Sequence, residues 1–170
     1  SPRQFHQGNL LTRISALLKE YAIPPSSIGI EITESGIMEN LTDSIKVLTG
    51  LKDLGMTIYI DDFGTGYSSL NYLKRLPIDA LKIDKSFIDG VLEDTNDSAI
   101  VRAVIGIARS LGLRVVAEGV ETREQLEFLR QNGCDEIQGY LLSRPLPPRD
   151  YKDFCNTSIP SFFRWFSGYT

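Results

Sequence analysis

The apolar positions of this chain change period again and again. An amphipathic stretch runs from Asn9 to Tyr21 and ends before Pro24-Pro25, which cannot continue a helix. A β-rich run follows, Ile28-Gly29-Ile30-Glu31-Ile32-Thr33. Ile45, Leu48, Leu51 and Leu54 then recur at helical spacing, and Gly55 supplies the left-handed residue that closes a helix. Strand-like Thr57-Ile58-Tyr59-Ile60-Asp61 comes directly after, and Ala80-Leu81-Lys82-Ile83-Asp84 forms a further short strand. The same punctuation returns twice. A helix through Ile100 to Leu111 stops at Gly112 before the strand Arg114 to Glu118. A helix opened by Thr122, with Gln125 completing a capping box, stops near Gly133 before a strand from Asp135 to Tyr140.

Five strands alternating with helices predict an α/β fold with a parallel sheet covered by helices. Most strands end in polar residues: Glu31, Asp61-Asp62, Lys82 with Asp84, Glu118 and Gln138. The C-terminal strand ends form the active-site face of a (β/α) barrel, and an open doubly wound sheet would use the same ends. Periodicity alone does not choose between the two.

Composition narrows the chemistry. The 170 residues are 42% hydrophobic and 24% charged, which describes a soluble globular domain. A formal charge of −4 and the lack of a basic run exclude a broad footprint for DNA or an anionic membrane. Cys134 and Cys155 make neither a disulfide framework nor a zinc spacing. Both read as reduced, with Cys134 packed beside a strand. No bilayer-spanning run and no signal peptide are visible. His6 is the single histidine, so chemistry built on several histidines lacks its raw material. The tail from Asn156 to Thr170 crowds Phe162, Phe163, Trp165 and Phe166 without helical spacing. It reads as packing against the domain, with self-association as the sharper alternative.

The candidate chemistry is acidic. Asp61 and Asp62 are adjacent, so on a continuing strand they would face opposite sides. Converging carboxylates need a proton or a cation between them, and an all-oxygen set suits Mg²⁺ or Mn²⁺ better than Zn²⁺. An Asp-Asp before a glycine turn is also an ordinary turn former. Alternation places Lys82 and Asp84 on one strand face. Lys82 is then either a structural ion pair with a neighbouring strand's acid or an ammonium held against a phosphate oxygen. Glu118 and Glu121 flank another strand end, where a lone Glu more often caps a helix. Gly64-Thr65-Gly66-Tyr67-Ser68-Ser69 lacks the third glycine of a dinucleotide loop.

Longer strings add a resemblance. EITES at 31–35, DDFGTGYSSL at 61–70, LKID at 81–84, AEGVET at 117–122 and QGY at 138–140 occur in the order seen in the EAL phosphodiesterase family. SPRQF at the start and SRPL at 143–146 are similar to it as well. The resemblance runs from Ser1 to about Tyr151. It implies a TIM-like (β/α)8 barrel with one antiparallel strand, represented here by about its last five β/α units. Residues 1–155 would be the C-terminal part of that domain and 156–170 an aromatic tail.

The resemblance also implies a reaction, the metal-dependent hydrolysis of cyclic di-GMP to linear pGpG, with two Mg²⁺ or Mn²⁺ per site. By matching position, Glu31 would ligate the first metal, Asp61 would bridge both, and Asp62 would hold the second. Glu118 would ligate the second metal or orient the attacking water. Lys82 would contact that water, with Glu121 and Gln138 in support. Glu34 would hold the loop from Asp62 to Ser69, which the family uses near its dimer contact. A homodimer, upstream sensory or cyclase domains, and a bacterial cytoplasmic setting linked to biofilm signalling, with a parent that can be membrane-anchored, belong to the same expectation. The departures are specific. The Glu-Ala-Leu motif, the arginine after it and the Asn of an N-x-S stretch lie outside the chain, and three strands of eight are absent. A chain with such an open edge is expected to be poorly stable alone or to exchange elements with another copy. A non-catalytic cyclic di-GMP receptor and an inert or dimerising fragment are the competing readings.

Overall fold

A computed structural model describes residues 9–65 and 70–156. After helix α1 (Leu10–Glu20), strands and helices alternate as the periodicity predicts. They are β1 (Gly29–Thr33), α2 (Glu34–Met38), α3 (Leu41–Asp53), β2 (Thr57–Phe63), α4 (Leu70–Leu73), β3 (Ala80–Ile83), α5 (Lys85–Asp89), α6 (Thr95–Ser110), β4 (Arg114–Glu118), α7 (Arg123–Asn132) and β5 (Glu136–Gln138). A further helix, α8, covers 148–156. His6 and the crowded aromatics of the tail lie outside the described residues.

Among the described residues the five strands form one parallel sheet in sequence order, β1 to β5. Its two faces differ in polarity. Ile58, Ile60, Leu81, Ile83, Val115 and Ala117 are buried under the helices. Leu48 and Leu51 of α3, Val101 and Ile105 of α6, and Leu129 of α7 complete that core. The opposite face carries Glu31, Tyr59, Lys82, Arg114, Glu118, Glu136 and Gln138, as two-residue alternation and the strand register require. A cavity of about 530 Å³ lies on this polar face, lined in part by Glu31, Tyr59, Lys82, Glu136 and Gln138.

Helix ends follow local chemistry. Gly55, Gly112 and Gly133 all have positive φ after α3, α6 and α7. Thr122 and Gln125 form the expected capping box. At the start of β3 and β5 an aspartate replaces a missing ladder partner. Asp79 accepts the Ile58 N–H at 2.8 Å and pairs with Lys52 at 2.6 Å. Asp135 accepts the Val115 N–H at 2.8 Å. Cys134 does sit beside a strand, its Sγ within 3.6 Å of the Val115 carbonyl and 3.3 Å of the Glu136 carbonyl.

Candidate active site at the C-terminal strand ends

β3 ends one residue earlier than expected, which corrects the shared face of Lys82 and Asp84. Asp84 instead caps α5, accepting from the Ser86 N–H at 3.0 Å and from its hydroxyl at 2.5 Å. The hydroxyl bond, then partial burial working against it, then the backbone N–H groups leave the Asp84 carboxyl below its usual range. Lys82 stays in the strand, only 3% exposed, with its ammonium at the strand end.

Three strands deliver acids to that ammonium. Lys82 Nζ lies 2.8 Å from Glu31 of β1, 3.2 Å from Asp61 of β2, and against Glu118 of β4. The side chains of Glu118 and Asp61 are 19% and 25% exposed, whereas that of Glu31 is half exposed. Burial works against the Lys82 charge. Hydrogen bonds to Glu118 and Glu31, with the attraction of Glu118 and Asp61, outweigh it and hold the pKa above its usual value. Burial raises the Glu118 carboxyl, and its bond to Lys82 offsets only part of the rise. Both readings of Lys82 weighed from the sequence are therefore compatible with one geometry.

Asp62, next to Asp61, sits on an irregular backbone. The β2–β3 register shifts between Ile60 and Phe63, and Asp62 adopts φ +54°. That left-handed residue breaks the alternation that would have sent Asp62 to the helix side. Partial burial and the nearby Asp61 and Asp84 raise its carboxyl, and Lys82 counters them. Gln138 pairs with Glu118 in the β4–β5 register. Its carbonyl accepts the Val120 N–H at 3.1 Å, while Leu141 N–H donates to the Val120 carbonyl at 3.0 Å. Glu34 is buried in the first turn of α2. Glu121 does not reach Lys82's cluster through a hydrogen bond; it pairs with Lys85 at 2.7 Å on the rim. Sequence reasoning missed Lys85, although it directly follows the LKID string.

The oxygen set fits a divalent cation in chemistry. Asp61 Oδ1 is buried and receives no hydrogen bond, although the Lys82 ammonium is 3.2 Å away. Three carboxylates, Glu31, Asp61 and Glu118, face one ammonium, so acids outnumber the cation there. Among the described residues no three such side chains close into a metal cage; they close on Lys82 instead.

A family model for the EAL domain matches residues 1–145. The chain belongs to the EAL domain family. This EAL chain is 47% identical over 154 residues to signaling protein YkoW of Bacillus subtilis, an alignment covering 91% of the chain and 19% of that protein. Its fold superposes with a TM-score of 0.86 on the PaMucR phosphodiesterase in complex with c-di-GMP, at 46% identity over 89% of this chain and 61% of that one. The manganese/cyclic-di-GMP complex of Klebsiella pneumoniae BlrP1 gives a TM-score of 0.76 at 35% identity, over 84% and 36%. The chain spans about a fifth of the length of the curated relatives it matches. Membership makes the parallel sheet part of an EAL barrel. No helix of the described residues is long and apolar enough to cross a membrane.

Proposed function

We propose that this chain supplies the C-terminal strand ends of a divalent-metal-dependent cyclic di-GMP phosphodiesterase, which releases linear pGpG. The observation that carries the reading is the convergence of Glu31, Asp61 and Glu118 on buried Lys82, where Asp61 Oδ1 faces the ammonium at 3.2 Å without a hydrogen bond. The PaMucR and BlrP1 complexes, one with cyclic di-GMP and one also with manganese, support it.

Glu31, Asp61, Asp62 and Glu118 would hold the cations, two Mg²⁺ or Mn²⁺ per site. When bound, such ions supply Lewis-acid charge and lower the pKa of water. The chain's own residues do the rest. Lys82 stays protonated across the physiological range, so it is a donor and a fixed positive charge rather than a base. Its three acceptors fix the ammonium at the strand ends, where it would face the negative charge that builds on a phosphodiester. Glu118, bonded to Lys82, is the carboxylate placed to accept or orient a proton. Gln138 stands beside it on β5 and Glu121 on the rim. Glu34 would support the β2–α4 loop. The same reading includes a homodimer, partner domains outside the chain, a cytoplasmic setting and a biofilm-linked signal.

The test is turnover of cyclic di-GMP by the full-length protein that carries this chain with Mg²⁺ or Mn²⁺, resolving the linear product, with chelator and Asp61→Asn as controls. Metal-dependent pGpG lost in Asp61→Asn is the expected result. Tight cyclic di-GMP binding without pGpG from the full-length protein would replace the enzyme with a receptor.

A further inference from the structure

The loop between β4 and α7 follows Glu118, the last residue of β4, and carries Glu121 near its end; α5 is tied to it directly through Lys85 and indirectly through Gln125 of α7. Lys85 Nζ donates to Glu121 Oε1 at 2.7 Å and to Asp89 Oδ1 at 2.9 Å. The lysine stem lies across bare backbone: Gly119 has φ +69°, and a Cβ there would stand 2.3 Å from Lys85 Cγ. From the other side, buried Gln125 accepts from the Glu121 N–H at 2.8 Å and the Thr122 N–H at 3.0 Å. Its amide donates at 3.1 Å to the carbonyl of Ile88 in α5. α5 itself begins three residues after Lys82, through the Asp84 cap. One short helix thus ties the buried ammonium to the acidic loop facing it.

We propose that Lys85 is a positioning residue: it fixes the Gly119–Glu121 backbone and so sets where Glu118 and Glu121 present their carboxylates. An ordinary surface ion pair predicts something else. Lys85 and Glu121 are each nearly half exposed, and pairs so exposed contribute little to stability. A role confined to stability would therefore leave almost no trace, whereas positioning leaves one in the loop and in the reaction. The kinetic part rests on the phosphodiesterase reading; the ordering of the loop does not.

Lys85→Met and Lys85→Arg would be made in the full-length protein, alone and with Glu121→Gln. Hydrogen exchange at residues 119–122, without metal or substrate, is read first. Lys85→Met is expected to speed exchange there with the melting temperature unchanged, and Lys85→Arg to restore protection. In turnover, Lys85→Met is expected to lower kcat about 10- to 100-fold, the usual effect of losing a residue that orients a ligand, with KM little changed. In the Glu121→Gln background the same change should cost far less. Unchanged exchange at 119–122 overturns the proposal, as does a kcat loss of equal size in both backgrounds. If the wild type shows no turnover, the phosphodiesterase reading fails and the exchange result alone decides the role of Lys85.

Discussion

Replacing Lys82 with methionine keeps an unbranched side chain of similar length and removes the charge together with its hydrogen-bond donors. What remains is Glu31, Asp61 and Glu118 converging on an apolar tip. Removing one partner of a buried ion pair typically costs about 3–5 kcal/mol. Glu118 and Asp61 account for most of that here, because they are mostly buried and lie against the ammonium or 3.2 Å from it. Glu31, half exposed at 2.8 Å, adds about 0–1 kcal/mol. The loss must depend on pH. Lys82 is the main group opposing the raised Glu118 carboxyl, so its removal raises that carboxyl further. A carboxyl raised by folding favours the native state fully below the unfolded pKa, about 4.3 for Glu. That contribution is lost as pH climbs through the folded value. Lys82→Met should therefore cost little near pH 4 and its full amount at pH 7–8. Urea unfolding at several pH values, without divalent metal, measures this. Added Mg²⁺ or Mn²⁺ should recover part of the difference, since a ligand at 100 times its Kd stabilises by about 2.7 kcal/mol. A loss independent of pH would refute the reasoning, because it would mean that packing around the stem, not carboxylate repulsion, was disturbed.

Asp79→Ala strands the Ile58 N–H and breaks the Lys52 pair, so it should lower stability by about 1–3 kcal/mol. Asp135→Ala strands only the Val115 N–H, and urea midpoints should rank Asp79→Ala as the more damaging of the two. Burial pushes the Cys134 thiol up to about 11, so a disulfide reagent at pH 8 should label it only after denaturant is added; rapid native labelling of that site would contradict its packing between two strand carbonyls.

What was legible in the sequence was local. Gly55, Gly112 and Gly133 announce left-handed residues because few other side chains adopt them, and Thr122 with Gln125 needs only three residues to define a cap. The alternation of Tyr59 with Ile58 and Ile60 likewise separates the two faces of β2. The left-handed backbone of Asp62 was not legible: it accompanies a register shift against β3, a partner twenty residues away. Asp84 left the strand face because the Ser86 hydroxyl and N–H offered it a cap. The meeting of Lys82 with acids from three strands depends on register across the whole sheet. The ion pair of Lys85 with Glu121 spans 36 positions, beyond the reach of any local pattern. Roles for Glu31, Asp61, Asp62 and Glu118 came from the matched family strings, and the geometry brings Glu31, Asp61 and Glu118 together on Lys82.

The left-handed backbone at Asp62 has a consequence for lineages. At φ +54° asparagine and glycine are accommodated as well as aspartate. A single nucleotide change can therefore delete this carboxylate without a folding penalty, whereas losing Lys82 would threaten the fold. If the proposed hydrolysis holds, descendants drifting away from it have an unobstructed exit at residue 62 and a guarded one at residue 82. Chains in which the lysine survives beside an asparagine or glycine are the expected relics of that path.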